Sequence, residues 1–337
     1  METIKKNHLE RNTMTRLRKP FALVAMLAAF GAATCSFAAA AQSVKIRVAN
    51  FPNSFVLPMF YASEKGYFKN EGVDVEIMPY QTGPSVVSAV TSGEADIAWS
   101  ASIPPIQARA NGVPVKFFLT GAQEVPEHPT LWLLATGKSG LKSIADLKGK
   151  TVMINANGGG CEISLRTNLA KAGLQWTDVK RLVVPFPQMQ AALELGKADA
   201  ACAIEPFFHS ILATPAIGAK VLAAGLLAES NAPVLSNGFF AREDWLKKNA
   251  DAATRFLRAY AQARKDLEAN RDLQNALATK VLGISPELAA TVDLIGWTRE
   301  NNVLEETVKP MIDAMFEAKQ IKAEVAPADV VETLPVK

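Results

Sequence analysis

One ten-residue pattern occurs twice in the chain, as Ala89-x-x-x-Gly93-x-Ala95-Asp96-x-Ala98 and as Ala192-x-x-x-Gly196-x-Ala198-Asp199-x-Ala201. Each copy reads as a helix end, a glycine turn and the start of an apolar strand. A helix that stops at glycine and turns directly into a strand is the second half of an α/β unit. Two such units roughly a hundred residues apart predict two similar α/β lobes, and clefts between such lobes are common ligand sites.

The surrounding sequence fits that frame. Residues 44–48 alternate apolar and polar as a strand, and residues 50–54 are rich in turn formers. A helix over 58–67 and a strand over 73–77 complete a β-α-β unit. Helices near 84–90 and 105–110 lead into strands ending at Trp99 and Leu119. The pattern restarts with a strand over 151–154, the turn Gly158-Gly159-Gly160 and a helix over 161–171 that stops near Gly173. From about Ser236 the periodicity becomes helical, over 244–248, 250–268, 272–281, 286–295 and 304–317, and no further strand is predicted. A tail of helices cannot build a third sheet, so it is expected to pack back on the first lobe and make that lobe discontinuous.

Charge and composition narrow the function classes. Residues 1–41 carry six of the 36 Lys and Arg and two of the 33 Asp and Glu, so 30 basic side chains face 31 acidic ones in the remainder. That near-neutral surface excludes the basic footprint of a nucleic-acid binder. The basic cluster precedes an apolar run from Phe21 to Phe30 and the small residues Ala38 to Ala41, the order of a secretory signal peptide cleaved after Ala40 or Ala41. The alternatives are a retained anchor, for which the run is short, and a lipoprotein, for which Cys35 lacks the usual preceding residues. A soluble exported protein is expected, with Met1 or Met14 as its start. Cys161 and Cys202 then remain, and the sequence leaves open whether they form a bridge or two thiols. The three His and three Cys show no metal-ligand spacing, so no metal and no cofactor are expected. Phosphate-loop, dinucleotide and nucleophile-elbow patterns are missing as well.

Ligands of open α/β sheets sit outside the carboxyl ends of the strands, which makes the strand-to-helix loops the candidate walls. The candidates are Asn53, Ser54 and Phe55; Thr82 and Gly83; Trp99, Ser100 and Ser102; Thr120; Gly159, Gly160 and Cys161; Glu205 and Phe207; and Phe239. Aromatic rings at Phe51, Trp99 and Phe207 suit an apolar body, and hydroxyls with the Gly158–Cys161 backbone suit an anionic head at a helix N-terminus. Glu162 competes for the same favourable end. Glu205 could accept an amine or hydroxyl, or be solvated; Phe207 and Phe239 could be wall or core. Arg109, Arg166 and His209 read as surface residues, and Cys161 has no His partner nearby in sequence that would make it a nucleophile.

Several segments taken together, Glu64-Lys65-Gly66-Tyr67-Phe68, Glu71-Gly72-Val73-Asp74-Val75-Glu76, Thr82-Gly83-Pro84, Gly93-Glu94-Ala95-Asp96, Ile144 to Lys150 and Glu205-Pro206-Phe207, resemble the alkanesulfonate, nitrate and taurine group of ABC-transporter substrate-binding proteins. The resemblance implies a two-lobed, type II periplasmic binding protein fold, with lobe one over 42–134 plus 237–337, lobe two over 135–236 and a hinge of two crossovers. It implies a monomeric, non-enzymatic periplasmic protein that traps a small organic anion, a sulfonate or carboxylate, and delivers it to a membrane permease. The Gly158-Gly159-Gly160-Cys161 stretch, where the family often has hydroxyl residues, leaves an aromatic carboxylate or a pyrimidine-like compound open. The same superfamily resembles enzymes that make a thiamine pyrimidine precursor, which is the alternative class.

Overall fold

The computed structural model describes residues 43–227 and 232–335, and the expected signal peptide lies outside them. From its start the described chain forms β1 (Val44–Asn50), α1 (Leu57–Glu64), α2 (Tyr67–Asn70), β2 (Val73–Pro79), α3 (Gly83–Ser92), β3 (Ile97–Ala101), α4 (Ile103–Ala110) and β4 (Val115–Glu124). It then crosses to β5 (Trp132–Ala135), β6 (Thr151–Ile154), α5 (Gly160–Lys171), β7 (Lys180–Val183), α6 (Phe186–Glu194), β8 (Ala200–Ala203), α7 (Phe207–Leu212) and β9 (Lys220–Ala224). It returns through β10 (Val234–Arg242) to α8 (Glu243–Lys248) and α9 (Ala250–Glu268), followed by shorter helices to Val330.

Two five-stranded sheets result, ordered β2-β1-β3-β10-β4 and β7-β6-β8-β5-β9. The orders are equivalent. In each sheet the fourth strand is antiparallel to its third, and it is the strand on which the chain arrives from the other lobe. The repeated sequence pattern occupies the same place in both. The Asp96 carboxylate accepts the Arg47 N–H at 2.9 Å while the Asp96 N–H donates to the Arg47 carbonyl at 2.9 Å. Asp199 makes the same pair with Thr151, at 2.8 Å in both directions. Each aspartate thus pins the start of β3 or β8 to its parallel neighbour, β1 or β6, and Gly93 and Gly196, at φ +79° and +67°, make the left-handed turn that delivers it.

The expectation of no strand after Ser236 is corrected by β10, which runs to Arg242 in the middle of the first sheet. The ladder carries Ser236-Asn237-Gly238 as an irregularity between β10 and β4. Gly238 lies so close to β4 that an added Cβ would meet the Leu119 carbonyl oxygen at 2.5 Å. The expected lobe boundaries, 134/135 and 236/237, fall inside the two crossing strands β5 and β10. The helix expected over 286–295 spans only Pro286–Thr291, because the Asp293 side chain accepts the Gly296 N–H at 3.0 Å and turns the chain.

The helical tail supplies the outer layer of the first sheet. Phe256 and Tyr260 of α9 meet Phe239 of β10 with ring centroids 5.3 and 5.1 Å apart, and Phe256 stacks on Phe68 at 4.9 Å. No helix of the described residues is long and apolar enough to cross a membrane.

Candidate functional site

A narrow cavity of about 40 Å³ opens where the carboxyl ends of both sheets face each other. The first lobe contributes Phe51, Phe55, Gly83, Trp99 and Ser102, and the second contributes Asn155, Gly160, Cys161, Phe186 and Ile204. Thr130, Leu131, Leu227, Ser236 and Asn237, on the crossovers, complete the wall. No lining side chain is charged.

The first-lobe wall is built on the loop after β1. The Asn53 side chain caps this loop, accepting the Phe55 N–H at 2.9 Å and donating to the Phe51 carbonyl at 2.8 Å, which presents both rings to Trp99. Phe51 meets the indole edge to face at 5.0 Å and Phe55 lies parallel to it at 6.3 Å. The indole Nε1 donates to Asn237 Oδ1 at 3.2 Å, so the ring is held from both sides.

Polar capacity remains unused. Ser102 Oγ and Asn155 Oδ1 are buried with no hydrogen-bond partner among the described residues, one on each lobe and both at the cavity. A buried polar atom without a partner costs about 1–3 kcal/mol, which a ligand group bonded to it restores.

Three helices begin at this cavity, and their first turns differ in what they offer. In α3 the second residue is Pro84 and the Ser85 N–H is taken by Thr82 Oγ1 at 3.3 Å; in α4 the second and third residues are Pro104 and Pro105. Proline has no N–H, so each of these starts retains one early donor that faces no intrahelical acceptor, on Gly83 and Ile103. The start of α5 retains the N–H groups of Gly160, Cys161 and Glu162 and has no side-chain cap. The Glu162 carboxylate bends back to the Gly158 N–H at 3.0 Å and pairs with Arg166, whose guanidinium lies over the Trp176 ring at 5.1 Å. It therefore leaves those three N–H groups to another acceptor. Cys161, in this first turn, is joined to Cys202 of β8 by a disulfide with Cα atoms 5.8 Å apart, which closes the question left by the sequence.

Among the residues singled out in the sequence, Phe51, Phe55, Gly83, Trp99, Ser102, Gly160 and Cys161 meet at the cavity. The others stand elsewhere. Thr82 is the cap of α3, Gly159 the cap of α5, and Ser100 is buried behind Gly83. Thr120 Oγ1 donates to the Asn302 carbonyl at 3.0 Å, away from the cavity, and Phe239 lies in the core under α9. Phe207 stacks on the far side of Phe186 at 5.7 Å, in a separate groove with Leu282 and Ile284. Ser54 and Glu205 form the seam between lobes, where the Ser54 N–H donates to the Glu205 carbonyl at 3.4 Å. The Glu205 side chain is buried against His209, Oε1 to Nδ1 2.5 Å, and burial pushes its carboxyl above the usual range while the His209 bond opposes that shift. Glu205 Oε2 keeps no partner among the described residues, but the side chain does not line the cavity, and His209, read as a surface residue, is half-buried against it. The crossover residues went unsingled in the sequence because crossovers without a recognisable strand carry no periodic signal, and Phe186, which opens α6 after β7, went unsingled because the sequence reading placed no strand before it.

Two α/β lobes of equivalent sheet order, linked by paired crossovers around a lined cleft, define the periplasmic binding protein fold. Residues 53–272 match the family described as NMT1/THI5 like, and the chain belongs to that family. A protein of Escherichia coli (strain K12), provisionally named an aliphatic sulfonates-binding protein, is 26% identical over 215 residues, 64% of each chain. The Saccharomyces cerevisiae 4-amino-5-hydroxymethyl-2-methylpyrimidine phosphate synthase THI13 is 28% identical over 221 residues, 63% of each. The matches thus take in just under two thirds of these relatives. Among solved structures, the alkanesulfonate-binding protein SsuA of Xanthomonas axonopodis pv. citri, bound to MOPS, superposes with a TM-score of 0.70 at 21% identity, over 85% of this chain and 98% of that one.

Proposed function

We propose that the chain is the substrate-binding component of an ABC importer, exported to the periplasm after signal-peptide cleavage, which traps a small organic molecule between its lobes and hands it to a membrane permease. The observation that carries this reading is the pair of unpartnered buried atoms, Ser102 Oγ and Asn155 Oδ1, on opposite lobes of an aromatic, uncharged cavity. A ligand that bonds both holds the lobes together. The likeness to sulfonate-binding proteins supports the importer role.

The rings of Phe51, Trp99 and Phe186 suit an apolar body, and the start of α5 suits its polar end. A helix start favours an anion by about 0.3–1 kcal/mol near the surface and up to about 2 when partly buried. With no basic side chain in the lining, this end takes a single delocalised charge, a sulfonate or a carboxylate, in preference to a dianion. A binding role is supported by the lining, which holds no charged side chain and whose one sulfur atom sits in a disulfide, while the neighbouring Glu162 is engaged by Gly158 and Arg166.

A thermal-shift screen of sulfonates, aromatic and aliphatic carboxylates, nitrate, pyrimidines and sugars tests the reading. Ligand at a hundred times its Kd raises stability by about 2.7 kcal/mol. Shifts only with neutral compounds would remove the anion, and turnover of a hit by the purified protein would move the chain to the synthase class of its yeast relatives.

A further inference from the structure

We propose that Glu124 is the positioning residue of the hinge, a single carboxylate that joins both crossovers and sets the cavity wall as far as Trp99. The inference rests on the reading of the cleft as the ligand site. Glu124 ends β4 and is fully buried, and it does not line the cavity itself. Its Oε2 accepts the Thr130 N–H at 2.8 Å, the Thr130 hydroxyl at 2.7 Å and the Leu131 N–H at 3.2 Å, all on the first crossover. Its Oε1 accepts the Leu227 N–H at 2.7 Å, on the second. Thr130, Leu131 and Leu227 all face the cavity.

The bonds continue beyond Glu124 and run in one direction. A carboxylate only accepts, so the single Thr130 hydroxyl hydrogen is committed to Glu124. Thr130 Oγ1 and Ser236 Oγ are 2.6 Å apart, and the Ser236 hydroxyl must therefore be the donor between them. Ser236 Oγ then accepts from Asn237 Nδ2 at 3.3 Å, which orients the amide with Oδ1 toward the Trp99 indole N–H at 3.2 Å. Trp99, Asn237, Ser236, Thr130 and Glu124 form one chain in which every hydrogen points toward the carboxylate. It starts on the ligand wall and ends where the two crossovers meet. No other side-chain end fits the terminal place, because donors approach both oxygens; glutamine would present its NH2 to an N–H on one crossover or the other.

Hydrogen exchange by NMR on the ligand-free protein tests the inference independently of any ligand. In Glu124→Gln, the Thr130, Leu131 and Leu227 amides are expected to exchange about tenfold faster, the size of one weakened hydrogen bond, while Val48 in β1 and Met153 in β6 keep their wild-type rates. Thr130→Val cuts the chain one link further on. It is expected to shift the Trp99 indole N–H resonance and leave the Leu227 amide protected. Should Glu124→Gln fail to fold, Thr130→Val decides alone, and an unmoved Trp99 indole overturns the proposal. Uniform acceleration across both lobes in Glu124→Gln, or none at the three amides, overturns it too. Once a ligand is in hand, a roughly tenfold loss of affinity in Glu124→Gln is expected; unchanged affinity would refute the coupling to the wall, whereas a screen without hits would count against the ligand site and leave the exchange result standing.

Discussion

Reducing the Cys161–Cys202 bridge perturbs the wall and the stability of the second lobe together. The bridge joins the first turn of α5 to β8 and closes a loop that contains the rest of α5, β7 and α6, with 41 residues of sequence separation. In the chain-entropy treatment a loop of that length removes about 13 cal/mol/K from the unfolded chain, or about 4 kcal/mol at 25 °C. Set against the roughly 5–15 kcal/mol that holds a typical domain folded, this is a large share. With a urea slope of about 3 kcal/mol/M, the midpoint for loss of the second lobe should fall by about 1.3 M on treatment with reductant. Urea titrations followed by circular dichroism, with and without dithiothreitol, measure it, alongside a thiol count on the native protein. A midpoint that moves by less than about 0.3 M, or two reactive thiols in the unreduced protein, would refute the reasoning. Because the Cys161 N–H belongs to the donor set at the cavity, the ligand-induced thermal shift should shrink on reduction as well.

Further outcomes are expected at single positions. Ser102→Ala and Asn155→Ala should each weaken ligand binding by about 1–2 kcal/mol, some five- to thirtyfold by calorimetry, with little loss of stability because each removes an atom that has no partner in the free protein. In Gly121→Ala the added Cβ would lie 2.1 Å from Asn237 Oδ1 and 3.1 Å from Trp99 Nε1, so a loss of about 1–3 kcal/mol and a displaced Trp99 indole resonance are expected. Lys247, and after it Arg109, hold the Glu243 carboxyl down at about 2. A folded-state value below the unfolded one stabilises above about pH 4.5 and is lost as pH falls toward 2, so urea midpoints of the native chain and Glu243→Gln should converge as the pH is lowered through that window.

The two-lobe α/β architecture was legible in the sequence because the signals are local. A helix end, a glycine at positive φ and an aspartate at a strand start lie within ten residues, and the same backbone pairing of Asp96 and Asp199 explains why the pattern recurs. The aromatic loop after β1 and the glycine-led start of α5 could be placed near a cleft for the same reason: strand ends deliver their loops to one edge of the sheet. The identity of a wall residue was not local. Phe239 and Trp99 are both aromatics on strands of the first sheet, paired directly across β10 and β3, yet Phe239 is covered by α9 and Trp99 faces the cavity. Glu205 could be a solvated loop residue by sequence, yet the fold buries it against His209 and off the cavity lining, and Cys161 and Cys202 became a bridge only when β8 was laid beside β6 and the start of α5. The crossovers were silent for a related reason. Thr130, Leu227 and Ser236 sit in short segments without periodicity, and what unites them is a carboxylate from β4 that reaches both at once. Hydrophobic period and turn chemistry act between neighbours in the chain and can be read from it; the meeting of groups a hundred residues apart depends on the packing of two lobes, and the tertiary structure alone decided it.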